Sequence, residues 1–398
     1  MHKLIVNFLF LLIVFFLTRQ FPFGDLSIIM NISCLLILFM SIFIGYKDRL
    51  YSIAILYFSL LLLSSILLTD NSPELALRFY IIICLLIGSN FISVGEKTLL
   101  YGFSSLMLFQ VTVVTCIWIY VTIYFPSGNG VSEFRGYFVR NGFGDVYTHG
   151  DFYKVQLKGN ALIPFFYMLL FDINLKLKSS KIKSLLFFVG FGVVFCGNFM
   201  FLVSVFLFHA YHIVNYIKNK NKTILGYMLK IFGFLSISAI VPIAINIFIK
   251  VVEEKSELGA SSSMGIRYDQ AKVLIYNMGE SLFSVFFGKG FGHTLSVVTS
   301  SRNYTGDVYY ELQSLYFLNQ LGFVSFFFLI LLLFLLFINK VKCNNIRLIY
   351  FCYVIYALSN PYIFDTNHVI VIICLISLQK YKSMTGSIVK KSFILPNV

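Results

Sequence analysis

The stretch LQSLYFLNQLGFVSFFFLILLLFLLF, from Leu312 to Phe337, carries no charged side chain. A helix needs about 17–25 mainly apolar residues to cross a hydrocarbon core of about 30 Å, so we predict a membrane-spanning helix here. Comparable apolar runs recur along the 398 residues, of which 59% are hydrophobic and 12% are charged. A soluble domain has about 25% charged residues. The sequence therefore predicts an all-α, polytopic integral membrane protein.

The apolar runs predict about twelve transmembrane helices in a single transmembrane domain, residues 1–398, with both termini in the cytoplasm. Two runs are too long for one crossing or have a polar centre, so each predicts a helical hairpin: Leu185–Ile217, turning at Gly197-Asn198, and Leu348–Leu378. The other predicted spans are Leu4–Leu17, Leu26–Gly45, Leu50–Leu68, Leu75–Val94, Thr98–Phe125, Ala161–Ile173, Thr223–Ile249 and Leu312–Phe337.

The net charge of +14 has a simple explanation in this topology. Most lysines and arginines fall in short loops on one side, as the positive-inside rule requires. We therefore expect a lipid bilayer, and no nucleic acid, as the partner of this charge.

The sequence contains no pattern for a metal or a nucleotide cofactor. Its seven cysteines lack the spacing of a zinc or iron–sulfur site. The chain also has no GxxxxGK[ST] loop, so nothing indicates direct use of ATP. We expect no cofactor and no metal site.

Two long polar loops, residues 127–160 and 250–310, interrupt the apolar runs. The spans before them both run outward in the predicted topology, so both loops face the periplasm or the cell exterior. Charged groups are costly inside a bilayer, and chemistry in so hydrophobic a chain is most readily placed in such segments. We therefore expect the functional site where these two loops meet.

Four arginines in these loops are candidates for holding phosphate. The arginine side chain presents a planar fork of donors and stays charged at any relevant pH. We assign Arg135 and Arg267 to catalysis, and Arg140 and Arg302 to substrate binding. The alternative interpretation is that these arginines are solvated or pair with nearby carboxylates.

Three further residues have side chains that can accept or hold a proton. Glu311 lies at the predicted membrane edge, where a carboxylate could assist an attacking hydroxyl, so we assign it to catalysis. It could equally be an acid favoured by the helix dipole. His149 and His293 are assigned to substrate binding, with a role as general base as one option and a simple loop position as the other.

The loops carry four short motifs: Phe134-Arg-Gly-Tyr-Phe138, Lys158-Gly-Asn-Ala-Leu-Ile-Pro164, Ser263–Ala271 followed by Phe287-Gly-Lys-Gly-Phe-Gly292, and Tyr310–Gly322. Together with the architecture of the whole chain, they resemble the O-antigen polymerase (Wzy-type) family, within the group that includes the O-antigen ligases. The first three resemble the family's Arg-Gly-aromatic, Gly-Asn-Ala-Leu and Arg-helix-Gly-x-Gly-x-Gly elements. The fourth resembles its final polar pair followed by x-Gly.

The resemblance implies a helical fold of the GT-C type and a glycosyltransferase activity. Such an enzyme joins oligosaccharide repeat units carried on undecaprenyl pyrophosphate, on the outer face of the bacterial plasma (inner) membrane, to build O-antigen, capsule or exopolysaccharide. The implied partners are these lipid-linked oligosaccharides, with a flippase and a chain-length regulator as possible protein partners. Arg135 and Arg267 would then stabilise the departing pyrophosphate, and Glu311 would assist the attacking sugar hydroxyl.

Three alternatives stay open at this point. An O-antigen ligase would use the same donor chemistry with another acceptor and an external-loop histidine, which His293 matches only loosely. A polysaccharide flippase should place charges inside several spans, whereas this chain keeps most of its charges in loops. A structural assembly protein would tolerate the loss of Arg267.

Overall fold

A computed structural model describes residues 2–24, 26–126, 130–149, 152–219, 263–298, 303–306 and 310–384. Over these residues the protein is a helical membrane protein, as the composition predicted, with a two-stranded β-hairpin as the one described departure from an all-α fold. The predicted span Thr223–Ile249 and the first part of the second long loop, residues 250–262, lie outside the described residues.

The helices that precede the first long loop follow the predicted apolar runs. They are α1 (His2–Thr18), the single turn α2 (Gln20–Phe23), α3 (Ser27–Gly45), α4 (Arg49–Leu67), α5 (Pro73–Ser89) and α6 (Ser104–Tyr124), which continues a π-helix over Thr98–Phe103. Two of these helices begin with a side-chain N-cap. The Asp48 carboxylate accepts from the backbone N–H of Tyr51, and the Ser72 hydroxyl accepts from that of Leu75.

The first long loop is itself folded, which the sequence did not predict. It contains α7 (Val131–Arg140) and an antiparallel hairpin of β1 (Gly144–His149) and β2 (Phe152–Leu157). Burial alternates along β2, because one face of the strand packs inward while the other does not. The indole N–H of Trp118 on α6 donates to the Tyr153 carbonyl at 3.1 Å, and this bond helps fix the hairpin on the helix bundle.

Both predicted helical hairpins turn where the sequence indicated. The remaining helices are α8 (Leu162–Leu177), α9 (Ser180–Phe195), α10 (Phe199–Asn219), α11 (Ser263–Gly279), α12 (Leu282–Phe287), α13 (Gln313–Lys340), α14 (Asn344–Leu358) and α15 (Thr366–Met384). Helices α9 and α10 join at Gly197, whose φ of 62° suits a residue without Cβ. Residues 359–365 join α14 to α15.

Five helices of the described chain are long and apolar enough to cross a membrane. They are Ser27–Gly45, Arg49–Leu67, Thr98–Tyr124, Phe199–Tyr216 and Gln313–Lys340. Lys3–Thr18 and Leu162–Leu175 are shorter apolar helices. These lengths are consistent with a bundle in a bilayer, and the total of about twelve spans stays a prediction.

A break inside α13 divides the predicted span Leu312–Phe337. Gly322 has φ 68° and ψ 172°, a conformation that is essentially confined to glycine. The 18 residues after it, 323–340, make a helix of about 27 Å, close to the thickness of a hydrocarbon core. The polar residues before Gly322 therefore belong to a separate helical segment of α13.

Arg19, which follows the first predicted span, is buried at 2% exposure. Its guanidinium lies over the Phe109 ring and donates to the Leu106 carbonyl and to Gln110 Oε1 at 2.8 and 3.3 Å. Gln110 Nε2 in turn donates to Asn160 Oδ1 at 2.9 Å. The Gly-Asn-Ala-Leu element is thus joined to α6 and to the residue that follows α1 through buried hydrogen bonds.

Candidate functional site

The site is built around two arginine–carboxylate pairs, and the first joins α11 to Glu311, two residues before α13 begins. Arg267 Nε lies 3.0 Å from Glu311 Oε2. The two side chains are 33% and 24% exposed, so the pair is partly shielded and still reachable from solvent. No hydrogen bond links the terminal guanidinium nitrogens of Arg267 to any described residue. They are the donors with which this arginine can meet an anion.

Buried amides hold this pair in place from behind. Gln270, which is fully buried, accepts through Oε1 from the backbone N–H of Leu312 at 3.3 Å. Asn319, also fully buried, donates through Nδ2 to the Leu274 carbonyl at 3.1 Å and to Asn277 Oδ1 at 3.0 Å. These bonds tie α11 to the first part of α13, so the positions of Arg267 and Glu311 depend on one another.

The glycine cluster 288–292 locks onto the break at Gly322. Because α13 is interrupted there, the carbonyls of Asn319 and Gln320 are released from the helix and accept from the backbone N–H groups of Lys289 and Gly290, each at 3.0 Å. A Cβ on Gly288 would lie 2.2 Å from the Gln320 carbonyl oxygen, so the approach requires glycine. This long-range pairing was not predicted from the sequence.

His293 follows the glycine cluster and contacts the loop between α4 and α5. Its Nδ1 lies 3.3 Å from Asn71 Oδ1, and its carbonyl accepts from the Tyr316 hydroxyl at 2.7 Å. Burial lowers the pKa of His293 below 6.5, and the positive charge of Lys289 lowers it further. The imidazole is therefore neutral at pH 7, which is the form that can accept a proton.

The second pair lies within the first long loop. Arg135 on α7 binds Asp145 on β1 with both Nε and Nη2, at 2.8 and 2.9 Å, in the bidentate geometry that arginine favours. The side chains are 50% and 28% exposed. The helix and the hairpin therefore form one local unit in which the arginine already has a strong partner.

Tyr147 on β1 is influenced by the charges of both pairs. Its ring centroid lies 5.7 Å from the Arg135 guanidinium carbon. Burial raises the pKa of its hydroxyl, the negative charges of Asp145 and Glu311 raise it further, and two positive charges oppose them: Arg135 and Arg267. Charges much further away than about 10 Å would be largely screened. The charges of both pairs therefore act on this one phenol.

Unsatisfied polar atoms concentrate on the second-loop side of the site. Four buried atoms there have no hydrogen-bond partner among the described residues: Gln270 Nε2, His293 Nε2, Asn319 Oδ1 and Gln320 Nε2. Leaving such an atom unpaired costs about 1–3 kcal/mol, so several in one place call for an explanation. Groups that bind a polar ligand are one such explanation.

The other predicted residues are not brought into this cluster. Arg140 is exposed and bonds the Gly136 carbonyl of its own helix at 3.2 Å, beside a shallow groove that also includes Ser132 and Glu133. The backbone of His149 pairs with that of Phe152 at the end of β1, but its side chain is outside the described part. Arg302 also lies outside the described residues.

Sequence reasoning missed Tyr147, Gln270 and the long-range role of Asn319. A usable signal existed for one of them, because Gln270 lies three residues after Arg267 and so shares a helix face with it. No group of three or more His, Cys, Asp or Glu that could hold a metal occurs in the described chain.

Comparison of the chain with protein-family models, with curated proteins and with solved structures finds no match. The residues of the site and the motif resemblance are therefore the basis for assigning a function.

Proposed function

We propose that the protein is a glycosyltransferase that polymerises oligosaccharide repeat units carried on undecaprenyl pyrophosphate, at the outer face of the bacterial inner membrane. The proposal includes the multi-pass topology of about twelve spans with cytoplasmic termini and a fold of the GT-C type. The observation that carries it is the presence of two arginine–carboxylate pairs, Arg135–Asp145 and Arg267–Glu311, whose charges both act on Tyr147, in a chain of apolar helices that suit polyprenyl chains.

In the proposed reaction a sugar hydroxyl of one lipid-linked unit attacks the anomeric carbon of the chain on another. The bond from that carbon to the pyrophosphate oxygen breaks, and lipid pyrophosphate leaves. The terminal donors of Arg267 stabilise the charge that develops on this leaving group. Arg135 adds a second positive charge across Tyr147.

The proton of the attacking hydroxyl needs an acceptor. Glu311 is the proposed base, because its carboxylate lies at the centre of the site and is held by Arg267. His293 is the second candidate, since its imidazole is neutral and its Nε2 has no partner among the described residues.

The test is chain extension by purified protein supplied with one lipid-linked repeat unit, read as a ladder of lengths on a gel. Arg267→Ala and Arg135→Ala should each abolish the ladder, and Glu311→Gln should reduce its rate by about 10²–10⁴-fold, the usual contribution of a general base. Lys272→Ala is the matched control, because Lys272 is exposed on the same helix as Arg267. A full-length ladder from Arg267→Ala at normal protein level would refute the catalytic assignment.

An O-antigen ligase is the second candidate function, and the neutral, partly buried His293 is the observation that favours it. The products separate the two activities. A polymerase lengthens the chain on its lipid carrier, whereas a ligase transfers a finished chain to a different acceptor without changing its length.

A further inference from the structure

A cavity of about 690 Å³ lies beside the site, between the N-terminal halves of α3 and α5 and the starts of α13 and α15. It is connected to the site through α13, because Gln313, two residues after Glu311, lines it. The Gln313 side chain donates through Nε2 to the Phe364 carbonyl and accepts through Oε1 from the Phe364 backbone N–H, each at 3.3 Å. Neither arginine pair described above contributes to its wall.

The lining changes from polar to apolar along the helices. At the end where the helices begin, the cavity is lined by Asn31, Glu74, Arg78, Gln313 and Asp365. Further along α3 and α5 the wall is formed by Leu35, Ile82 and Leu85. Eleven residues separate Glu74 from Leu85, so the gradient extends over about 16 Å. A molecule that fits this gradient has a polar head and a long hydrocarbon chain.

Arg78 gives the polar end its particular character. It lies on the second turn of α5 and forms no salt bridge or hydrogen bond with any described residue. Its side chain is exposed, and Glu74 lies one turn before it on the same helix. An exposed guanidinium that lines a cavity is available to bind an anion. A phosphate group is the anion that its planar fork fits best.

The two carboxylates that line the cavity, Asp365 and Glu74, oppose the binding of a phosphate group only weakly. Asp365 caps α15, since its Oδ1 accepts from the backbone N–H of Asn367 at 2.8 Å and its Oδ2 from the Asn367 side chain at 2.6 Å. Burial raises the pKa of Asp365 to about 7, so its negative charge is reduced near neutral pH. Glu74 is exposed in the first turn of α5, where the helix dipole favours an acid.

The helix ends add to the positive potential. Four helices, α3, α5, α13 and α15, begin at the polar end of the cavity, and each N-terminus carries a partial positive charge. The N-cap positions of α3 and α13 are Leu26 and Leu312, whose side chains cannot accept a hydrogen bond. Their charge is therefore not neutralised by a cap of their own.

We propose that this cavity binds a polyprenyl phosphate, with the phosphate head at Arg78 and the first part of the chain between α3 and α5. The polyprenyl identity of the chain rests on the proposed function, whereas the phosphate-bearing amphiphile follows from the cavity itself. In the polymerase reaction this site would seat one of the two lipid carriers, next to the arginine pairs.

The experiment measures binding of undecaprenyl monophosphate to the purified full-length protein in nanodiscs, alongside undecaprenol and phosphatidylglycerol. Arg78→Gln should weaken binding of the phosphate by about tenfold to a hundredfold, the range for one hydrogen-bonded charge, and leave undecaprenol binding unchanged. Ile82→Trp, which fills the apolar end, should weaken binding of both polyprenyl compounds. Arg49→Gln, an exposed arginine at the start of α4 that does not line the cavity, should bind like the wild type.

Unchanged binding of undecaprenyl monophosphate by Arg78→Gln would overturn the proposal. Equal, Arg78-dependent binding of phosphatidylglycerol would overturn the polyprenyl assignment. If Arg78→Gln does not fold, Arg78→Lys replaces it in the same test, because lysine keeps the charge but lacks the planar fork. Ile82→Trp then tests the apolar end. Failure of the proposed function is recognised separately: Arg267→Ala would keep its ladder while lipid binding still depended on Arg78.

Discussion

The two arginine–carboxylate pairs of the site are made in different ways. Arg135 and Asp145 are ten residues apart and belong to one local unit of helix and hairpin. Arg267 and Glu311 are 44 residues apart, and their geometry depends on buried amides and on a glycine contact between α12 and α13. The first pair can therefore form with little help, whereas the second exists only when the helices are assembled correctly.

The largest expected effect comes from the glycine contact. In Gly322→Ala the new Cβ would lie 2.3 Å from the Gly288 nitrogen and 2.4 Å from the Phe286 carbonyl oxygen. The backbone conformation of Gly322 adds a cost of about 1–3 kcal/mol in any other residue. We expect loss of monodisperse protein on size-exclusion chromatography, or a thermal midpoint lowered by many degrees.

Gly136→Ala is the matched control in the first loop. A Cβ there meets no atom within 4 Å, and alanine favours a helix interior by about 0.5–1 kcal/mol over glycine. Its thermal midpoint should be unchanged or slightly higher. Comparable midpoints for the two variants would show that the contact at Gly322 is not essential for assembly.

The buried amides should give the next largest effect. Asn319→Leu removes two hydrogen bonds between α13 and α11, at a cost of about 1–3 kcal/mol in thermal unfolding. Chain extension should fall by more than about tenfold, because α11 also positions Arg267.

A matched control for Asn319→Leu lies in the first long loop. Asn141 is exposed and donates only to the Tyr137 carbonyl at the end of α7. Asn141→Leu should alter stability by no more than about 0.5 kcal/mol and leave chain extension intact. If Asn319→Leu behaved in the same way, the second pair would not depend on its buried support.

The contrast between the two regions also explains what sequence could predict. The helical membrane class was predictable, because the length and composition of an apolar run are local properties. The turn at Gly197-Asn198 was predictable for the same reason. The break at Gly322 was not, since the carbonyls it releases bond to Lys289 and Gly290, about thirty residues away.

The same distinction between local and long-range features applies to the candidate site. Arg135, Arg267 and Glu311 could be chosen from their residue types and loop positions, and their roles stay predictions. Tyr147 could not be chosen, because it is one of 25 tyrosines and its importance comes from pairings that form only in the folded chain. The burial of Arg19 could not be predicted, because this residue lies just after an apolar run and its contact with α6 leaves no local signal.

Tyr147 connects the two regions, and a conservative change tests that connection. Tyr147→Phe should lower the rate of chain extension by about tenfold, the equivalent of one hydrogen bond, without changing the thermal midpoint. Burial and nearby negative charge raise the pKa of this hydroxyl above 10, so it stays protonated and the wild-type rate should show no alkaline limb from it below pH 10. Tyr137→Phe, on the exposed side of α7, is the control and should retain the wild-type rate.

The smallest effect is expected for the exposed pair itself. Asp145→Asn removes the charge that holds Arg135, but exposed ion pairs contribute only about 0–1 kcal/mol. The thermal midpoint should fall slightly in low salt, and the difference from wild type should shrink at 1 M salt, where charges are screened within about 3 Å. A large and salt-independent loss would mean that the hairpin depends on Asp145 as heavily as α11 depends on its buried amides. The first region would then be as rigidly built as the second, and the contrast between an adaptable pair and a fixed pair would be wrong.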